Sequence, residues 1–163
     1  MELSQYAKNL DPLTKTRYIY KIEDVGKDPY LFSFKSKEFP LNVTFSKIYE
    51  FLITGTSAYT GNFHKNSNSL TKADELFRGG WLKELGGTIK SSLYVVLGKV
   101  LHSQRLNEKP LEAWVIIDND GTVDSAHCQC KAGLYETCTH IGVILFGLQS
   151  IASGCSSESV RNS

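Results

Sequence analysis

The sequence predicts an α+β fold in which a mainly helical N-terminal part is followed by a β-hairpin, a metal site and a closing helix. Three observations predict it. Apolar residues recur at helical spacing through Trp81, then take up the extended, β-rich pattern from Leu93. Asp118-Asn119-Asp120-Gly121 separates two strand-like stretches, as a hairpin turn does. Cys128, Cys130, Cys138 and His140 then gather between the second stretch and a strongly apolar helix. With 163 residues, 41% hydrophobic and 21% charged, the chain has the composition of a globular domain rather than of disorder or coiled coil. It divides into a helical region (1–90), the hairpin, metal site and helix (91–150), and a flexible tail (151–163).

Taken in order, Asp11-Pro12 is an N-cap followed by proline at the first helical position, and the helix through Arg17, Tyr18 and Ile22 ends before Gly26. Asp28-Pro29 breaks the chain, and Tyr30 to Phe34 fits a short strand or a loop equally well. Thr44 caps a second helix with Phe45, Ile48, Tyr49 and Leu52 on one face. Gly61 to Ser69 is a polar connection. A third helix is expected after Ser69, carrying Leu70, Ala73, Leu76, Phe77, Gly80 and Trp81, with acids early, Lys83 late and Gly86-Gly87 as its end. Strands follow at Leu93 to Val100, Leu111 to Ile117 and Thr122 to Cys128, and the last helix begins near His140.

The cysteines carry the chemistry. Cys128 and Cys130 stand two apart, so on an extended segment they point to the same side. Cys138 and His140 cannot both serve from inside a helix, where positions two apart diverge by about 200°. Cys138 is therefore expected just before the last helix, with Thr139 as N-cap and His140 in the first turn. Three thiolates and an imidazole make a closed tetrahedral zinc set. The competing interpretation is three buried thiols acting as small hydrophobes. His127 points to the opposite strand face and is not expected to be a ligand, and Cys155 is expected to be a free thiol in the tail. His64 and His102 are expected at the surface.

The pattern C-x-C followed by C-x-H, with a hairpin before it and an apolar helix after it, resembles the SWIM-type zinc finger. Cys128-Gln-Cys-Lys-Ala-Gly133 and Cys138-Thr-His-Ile-Gly-Val-Ile-Leu-Phe146 are similar to the variant found beside YqaJ-type recombinase nuclease domains in animal proteins. Lys21 to Tyr30, Thr56 to Tyr59 and Gly80 to Leu85 resemble, more loosely, the region preceding that finger. The resemblance implies one zinc at Cys128, Cys130, Cys138 and His140, and a role in DNA association or protein interaction. A nuclease domain follows the finger in such family members, so the chain is expected to be part of a larger nuclease-, recombinase- or transposon-related protein.

Several functions are disfavoured by what the chain lacks. The sequence shows no H-E-x-x-H, Walker loop, G-x-G-x-x-G or G-x-S-x-G, and no H-x-E precedes the cysteine pair. A zinc closed by four protein ligands has no open position for hydrolysis, so no enzyme activity is expected. Asp118, Asp120 and Asp124 are expected to form a solvated turn. The polar N-terminus and the absence of a long apolar run argue against a secretory signal and a membrane span, so an intracellular and, with DNA as partner, nuclear location is expected.

The net charge of +1 is a cancellation: residues 61–110 carry +4 and residues 111–163 carry −4. The basic middle segment suits phosphate contact, with Trp81 and Tyr94 as stacking partners, and equally suits a solvated face over core aromatics. The candidate nucleic-acid residues are Lys65, Arg78, Lys83, Lys90, Lys99, Arg105, Lys109, Lys131 and Tyr135. DNA is the expected partner. The alternative is a protein-interaction adaptor docking through the acidic finger and Tyr135.

Overall fold

In the computed structural model, residues 1–54, 67–102, 108–130 and 138–154 are described. Strands β1 (Leu82–Lys90), β2 (Leu93–Val100), β3 (Leu111–Ile117) and β4 (Val123–Cys128) pair in chain order as one antiparallel sheet. The sheet is covered on both faces. Side-chain alternation along β2 and β3 divides it cleanly: Val96, Val100, Ala113, Val115 and Ile117 face one core, while Val95, Leu97, Trp114 and Ile116 face another.

The first core is closed by α3 (Phe45–Tyr49), α4 (Ser67–Arg78) and α5 (Thr139–Ala152). A π-helical turn, Glu50–Thr54, extends α3 and seats Leu52 in this core. The eight consecutive buried residues of α5, Ile141 to Leu148, explain why its sequence is apolar nearly all round. Gly98 and Gly147 let helix and sheet approach, since a Cβ on Gly98 would lie 2.5 Å from Ile144 Cγ1.

The second core lies under α1 (Gln5–Lys8) and α2 (Pro12–Ile22), with Ala7, Tyr18, Ile22 and Val25 against the sheet. Asp11 caps α2 as expected, its side chain accepting from the Thr14 amide at 3.0 Å, with Pro12 at the first position. Tyr30 to Phe34 is neither of the expected alternatives throughout: it opens with a 3₁₀ turn, Pro29–Leu31, capped by Asp28. Asp28 is fully buried and accepts from the Ser4 amide (2.8 Å), Ser4 Oγ (2.7 Å), the Tyr18 hydroxyl (2.5 Å) and the Tyr30 amide (3.0 Å). Four donors replace the water lost by this carboxylate.

The expected third helix is corrected. α4 begins at Ser67 and stops at Arg78, and the stretch read as its last turns is strand β1. The stop is a Schellman motif: Trp81 N–H reaches the Leu76 carbonyl, Gly80 N–H reaches the Phe77 carbonyl, and Gly80 takes φ +79°. Gly86 and Gly87 do not end a helix but lie within β1, where other backbone crosses too closely for a side chain. A Cβ would sit 2.6 Å from Phe34 Cα at Gly86 and 2.4 Å from the Glu38 carbonyl oxygen at Gly87. Ser36 and Glu38 hydrogen-bond to Gly87 there and so cover this edge of the sheet. The boundary expected at 90/91 falls at the tip of the β1–β2 hairpin, where Ser91 and Ser92 both take positive φ as a two-residue primed turn requires. No described helix is long and apolar enough to cross a membrane.

Candidate metal centre

The cluster forms where β4 runs out. Cys128 is the last residue of β4 and faces the first core, on the side occupied by α5. His127, one residue earlier, therefore faces the second core, as the strand period requires. Past the strand end the chain turns, and the Cys130 amide donates to Cys128 Sγ at 3.4 Å, which brings the second thiol back beside the first. Residues 131–137 lie outside the described residues. The chain re-enters at Cys138, and α5 carries His140 in its first turn with Nδ1 3.7 Å from Cys128 Sγ.

One detail of the expected capping is corrected. Cys138, not Thr139, is the N-cap of α5, in extended conformation (φ −68°, ψ 156°), and its side chain caps no amide. The thiol is turned into the cluster instead, and Thr139 becomes the first helical residue.

One ligand atom from each of Cys128, Cys130, Cys138 and His140 lies within 4.8 Å of the others. A tetrahedral zinc with bonds of about 2.0–2.3 Å separates its ligands by roughly 3.3–3.8 Å, so the set needs little movement to close on an ion. The donors are soft sulfur with one imidazole, the combination that selects zinc over oxygen-seeking cations. Cys128 and Cys138 are buried, and Cys130 and His140 half-buried. The four residues could thus hold a metal ion, and they form the only such group among the described residues. Asp118, Asp120 and Asp124 form none: Asp120 accepts from the Thr122 amide at 3.0 Å within the β3–β4 turn.

Electrostatics point the same way. Cys130 is held far below the usual thiol range because the Cys128 and Cys138 thiols both donate toward its sulfur. Cys128 is pushed up to about 12, chiefly by that hydrogen bond, and Cys138 is raised by its bond to Cys128 and by burial. Three sulfurs crowded in a half-dry site stabilise one another only by sharing protons or a cation. A dication held by these four residues would take the place of both shared protons.

The candidate nucleic-acid residues separate into groups. Leu82 pairs with Val100, Val100 with Leu111 and Ala113 with Cys128, so the start of β1 and the end of β2 share the cluster's end of the sheet. Lys83, Lys99 and Lys109 lie at that end, and Arg78 four residues before it. Arg78 is tied to Asp74, and Lys99 to Glu84 at 3.2 Å while also lying over the Phe34 ring. Lys83 and Lys109 are exposed. Lys90 is not brought to this group, because it sits at the opposite end of β1. Lys65, Arg105, Lys131 and Tyr135, like His64 and Cys155, lie outside the described residues. Trp81 and Tyr94 are half-buried and pack against the first core.

Beside the cluster lies a buried polar group that sequence reasoning missed. His127 is fully buried, with Lys21 Nζ 3.0 Å from Nδ1 and the Tyr6 hydroxyl 2.7 Å from Nε2. Lys21 Nζ also donates to the Ala126 carbonyl at 2.8 Å. Burial, and then the Lys21 charge, hold the His127 ring neutral, down at about 2. With Lys21 donating to Nδ1, the ring proton sits on Nε2 and points at Tyr6. The one sequence signal for this group is that Lys21 falls on the same helical face as Tyr18.

Comparison with known protein families, curated proteins and solved structures returned no match.

Proposed function

We propose that this chain is a zinc-stapled, non-enzymatic binding module that engages DNA with the cluster end of its sheet. The observation that carries the proposal is the cluster: three thiols and one imidazole lie within 4.8 Å of one another, a set that would fill a tetrahedral shell and leave no position for water or substrate. Such a metal staples. Here it would fasten the end of β4 to the start of α5.

The DNA reading is supported by the resemblance of the C-x-C and C-x-H pairs to the SWIM-type finger, and by exposed Lys83 and Lys109 at the same end. Lys65, Arg105 and Lys131 are the further basic candidates from the sequence. The same resemblance supports a place in a larger nuclease-, recombinase- or transposon-related protein acting in the nucleus. Arg78 and Lys99 already have carboxylate partners, so they are assigned little of the phosphate contact.

The test is titration of the zinc-loaded chain onto a labelled duplex over a salt series. Affinity should fall with salt by a slope of about 0.9 per phosphate contact, and Lys83→Glu with Lys109→Glu should weaken binding at least about tenfold. A flat response below about 50 mM salt refutes DNA as the ligand. Zinc-dependent capture of a protein, lost on Tyr135→Ala, would show the adaptor role in its place.

A further inference from the structure

The end of the molecule opposite the metal cluster presents apolar side chains to solvent. Leu41, Phe45 and Tyr49 are 71%, 49% and 44% exposed. Phe45 and Tyr49 stand one turn apart on α3, their ring centroids 6.5 Å from each other, and Phe45 continues onto Phe146 of α5 at 6.4 Å. Large apolar side chains scattered singly over a surface carry no meaning; Phe45 and Tyr49 are instead adjacent on one helix, with exposed Leu41 four residues before Phe45 in the chain.

The ridge is fixed from below. Val43 and Ile48 are buried in the first core between these exposed residues. Asn42 Nδ2 donates to the Asn119 carbonyl at 2.6 Å, and Gly121 approaches so closely that a Cβ there would lie 2.3 Å from the Asn42 carbonyl oxygen. Lys47 Nζ reaches Thr122 Oγ1 at 2.9 Å. These contacts join the ridge to the β3–β4 turn, so it needs no reorganisation on binding.

The joined turn sets the charge. It brings Asp118 and Asp120 alongside the ridge, with Asp124 just beyond. Asp120 and Asp124 are exposed, and among the described residues Lys47, whose ammonium reaches Thr122 Oγ1 and acts on Asp120, offsets part of this negative charge. An apolar strip with a carboxylate rim repels nucleic acid and acidic peptides and attracts cationic ones.

We propose that Leu41, Phe45 and Tyr49, rimmed by Asp118 and Asp120, form a docking ridge for a cationic amphipathic segment of a partner protein. The segment lays its apolar side chains on the ridge and its lysines or arginines against the turn. This surface lies at the other end of the sheet from the proposed DNA contacts, so both ligands can be held at once.

The probe is a synthetic peptide of about fourteen residues with leucine at helical spacing and lysine elsewhere, titrated onto the zinc-loaded chain. The control replaces every lysine with glutamate. The lysine peptide should bind with a Kd on the order of micromolar, weaken as salt rises, and shift the amide resonances of residues 41–50 and 118–121. Leu41→Ser with Tyr49→Ser should weaken it about tenfold or more, and Asp118→Asn with Asp120→Asn should flatten its salt dependence. Both pairs are at the surface, and an unchanged thermal midpoint checks that each variant is folded. Equal binding of the glutamate peptide overturns the proposal. So does an affinity within about twofold after the Leu41 and Tyr49 substitutions, or resonance shifts confined to the cluster end.

Discussion

Removing one zinc ligand should loosen the beginning of α5 and leave the rest of it in place. Cys130→Ser is the cleanest perturbation, because Cys130 lies beyond β4 and outside the helix, so neither element loses a residue of its own. Structural zinc contributes on the order of 10 kcal/mol to the folding of small finger domains, which have little else to hold them. Here α5 has a second anchor. Ile141, Val143, Ile144, Leu145, Phe146 and Leu148 are buried against the sheet and α4, and at roughly 1.5–3 kcal/mol each their gross burial equals or exceeds the metal contribution. Of the four candidate metal ligands, only Cys138 and His140 belong to the helix, at its N-cap and second residue. Metal loss should therefore fray residues 138–142 while 144–152 stay helical. Amide hydrogen exchange on the loaded wild type and the variant measures this, alongside a metal count. Stoichiometric zinc retained in Cys130→Ser would refute the ligand assignment, and protection lost along the whole helix would refute the division of stability.

Three further outcomes follow from particular contacts. Asp28→Ala leaves four buried donors without an acceptor and should cost about 3–5 kcal/mol in urea unfolding, with Asp28→Asn intermediate. Gly98→Ala drives a methyl group to 2.5 Å from Ile144 Cγ1 and should destabilise by about 1–3 kcal/mol without altering metal content. Stability should also fall in alkali: burial and the Asp28 carboxylate hold the Tyr18 hydroxyl far above its ordinary value, and burial raises Tyr6 to about 12. The unfolded chain releases these protons from about pH 10 while the folded chain keeps them, so unfolding gains up to ~1.4 kcal/mol per pH unit from Tyr18 above pH 10 and nothing below, with a smaller share from half-exposed Tyr6 that ends near pH 12. Urea midpoints measured across this range, with phenolate absorbance followed in parallel, check both the onset and the slope.

Elements ruled by local chemistry were readable in the sequence. Asp11-Pro12 and Thr44 cap the helices they were expected to cap, and β2, β3 and the acidic turn lie where periodicity and turn residues set them. The four clustered Cys and His residues were legible because ligand spacing and the strand period are both local, which also put His127 on the other face. Features decided by distant contacts were not. Gly86 and Gly87 look like a helix stop until Phe34 and Glu38 are seen crossing them, and Gly80, which is the stop, was expected inside the helix. The buried Lys21–His127–Tyr6 group spans 121 residues of sequence, and no local pattern announces it. Charge behaved likewise: Lys99 and Lys90 belong to one basic segment of sequence but occupy opposite ends of the sheet.

The proposed function stands on Cys128, Cys130, Cys138 and His140 closing on a single zinc ion. X-ray absorption at the zinc edge on the purified chain, with metal quantified on the same sample, tests it most directly. The expected result is one zinc per chain, three sulfurs at about 2.3 Å and one nitrogen at about 2.0 Å. An oxygen ligand in the shell, two sulfurs instead of three, or a chain that takes up no zinc would contradict it.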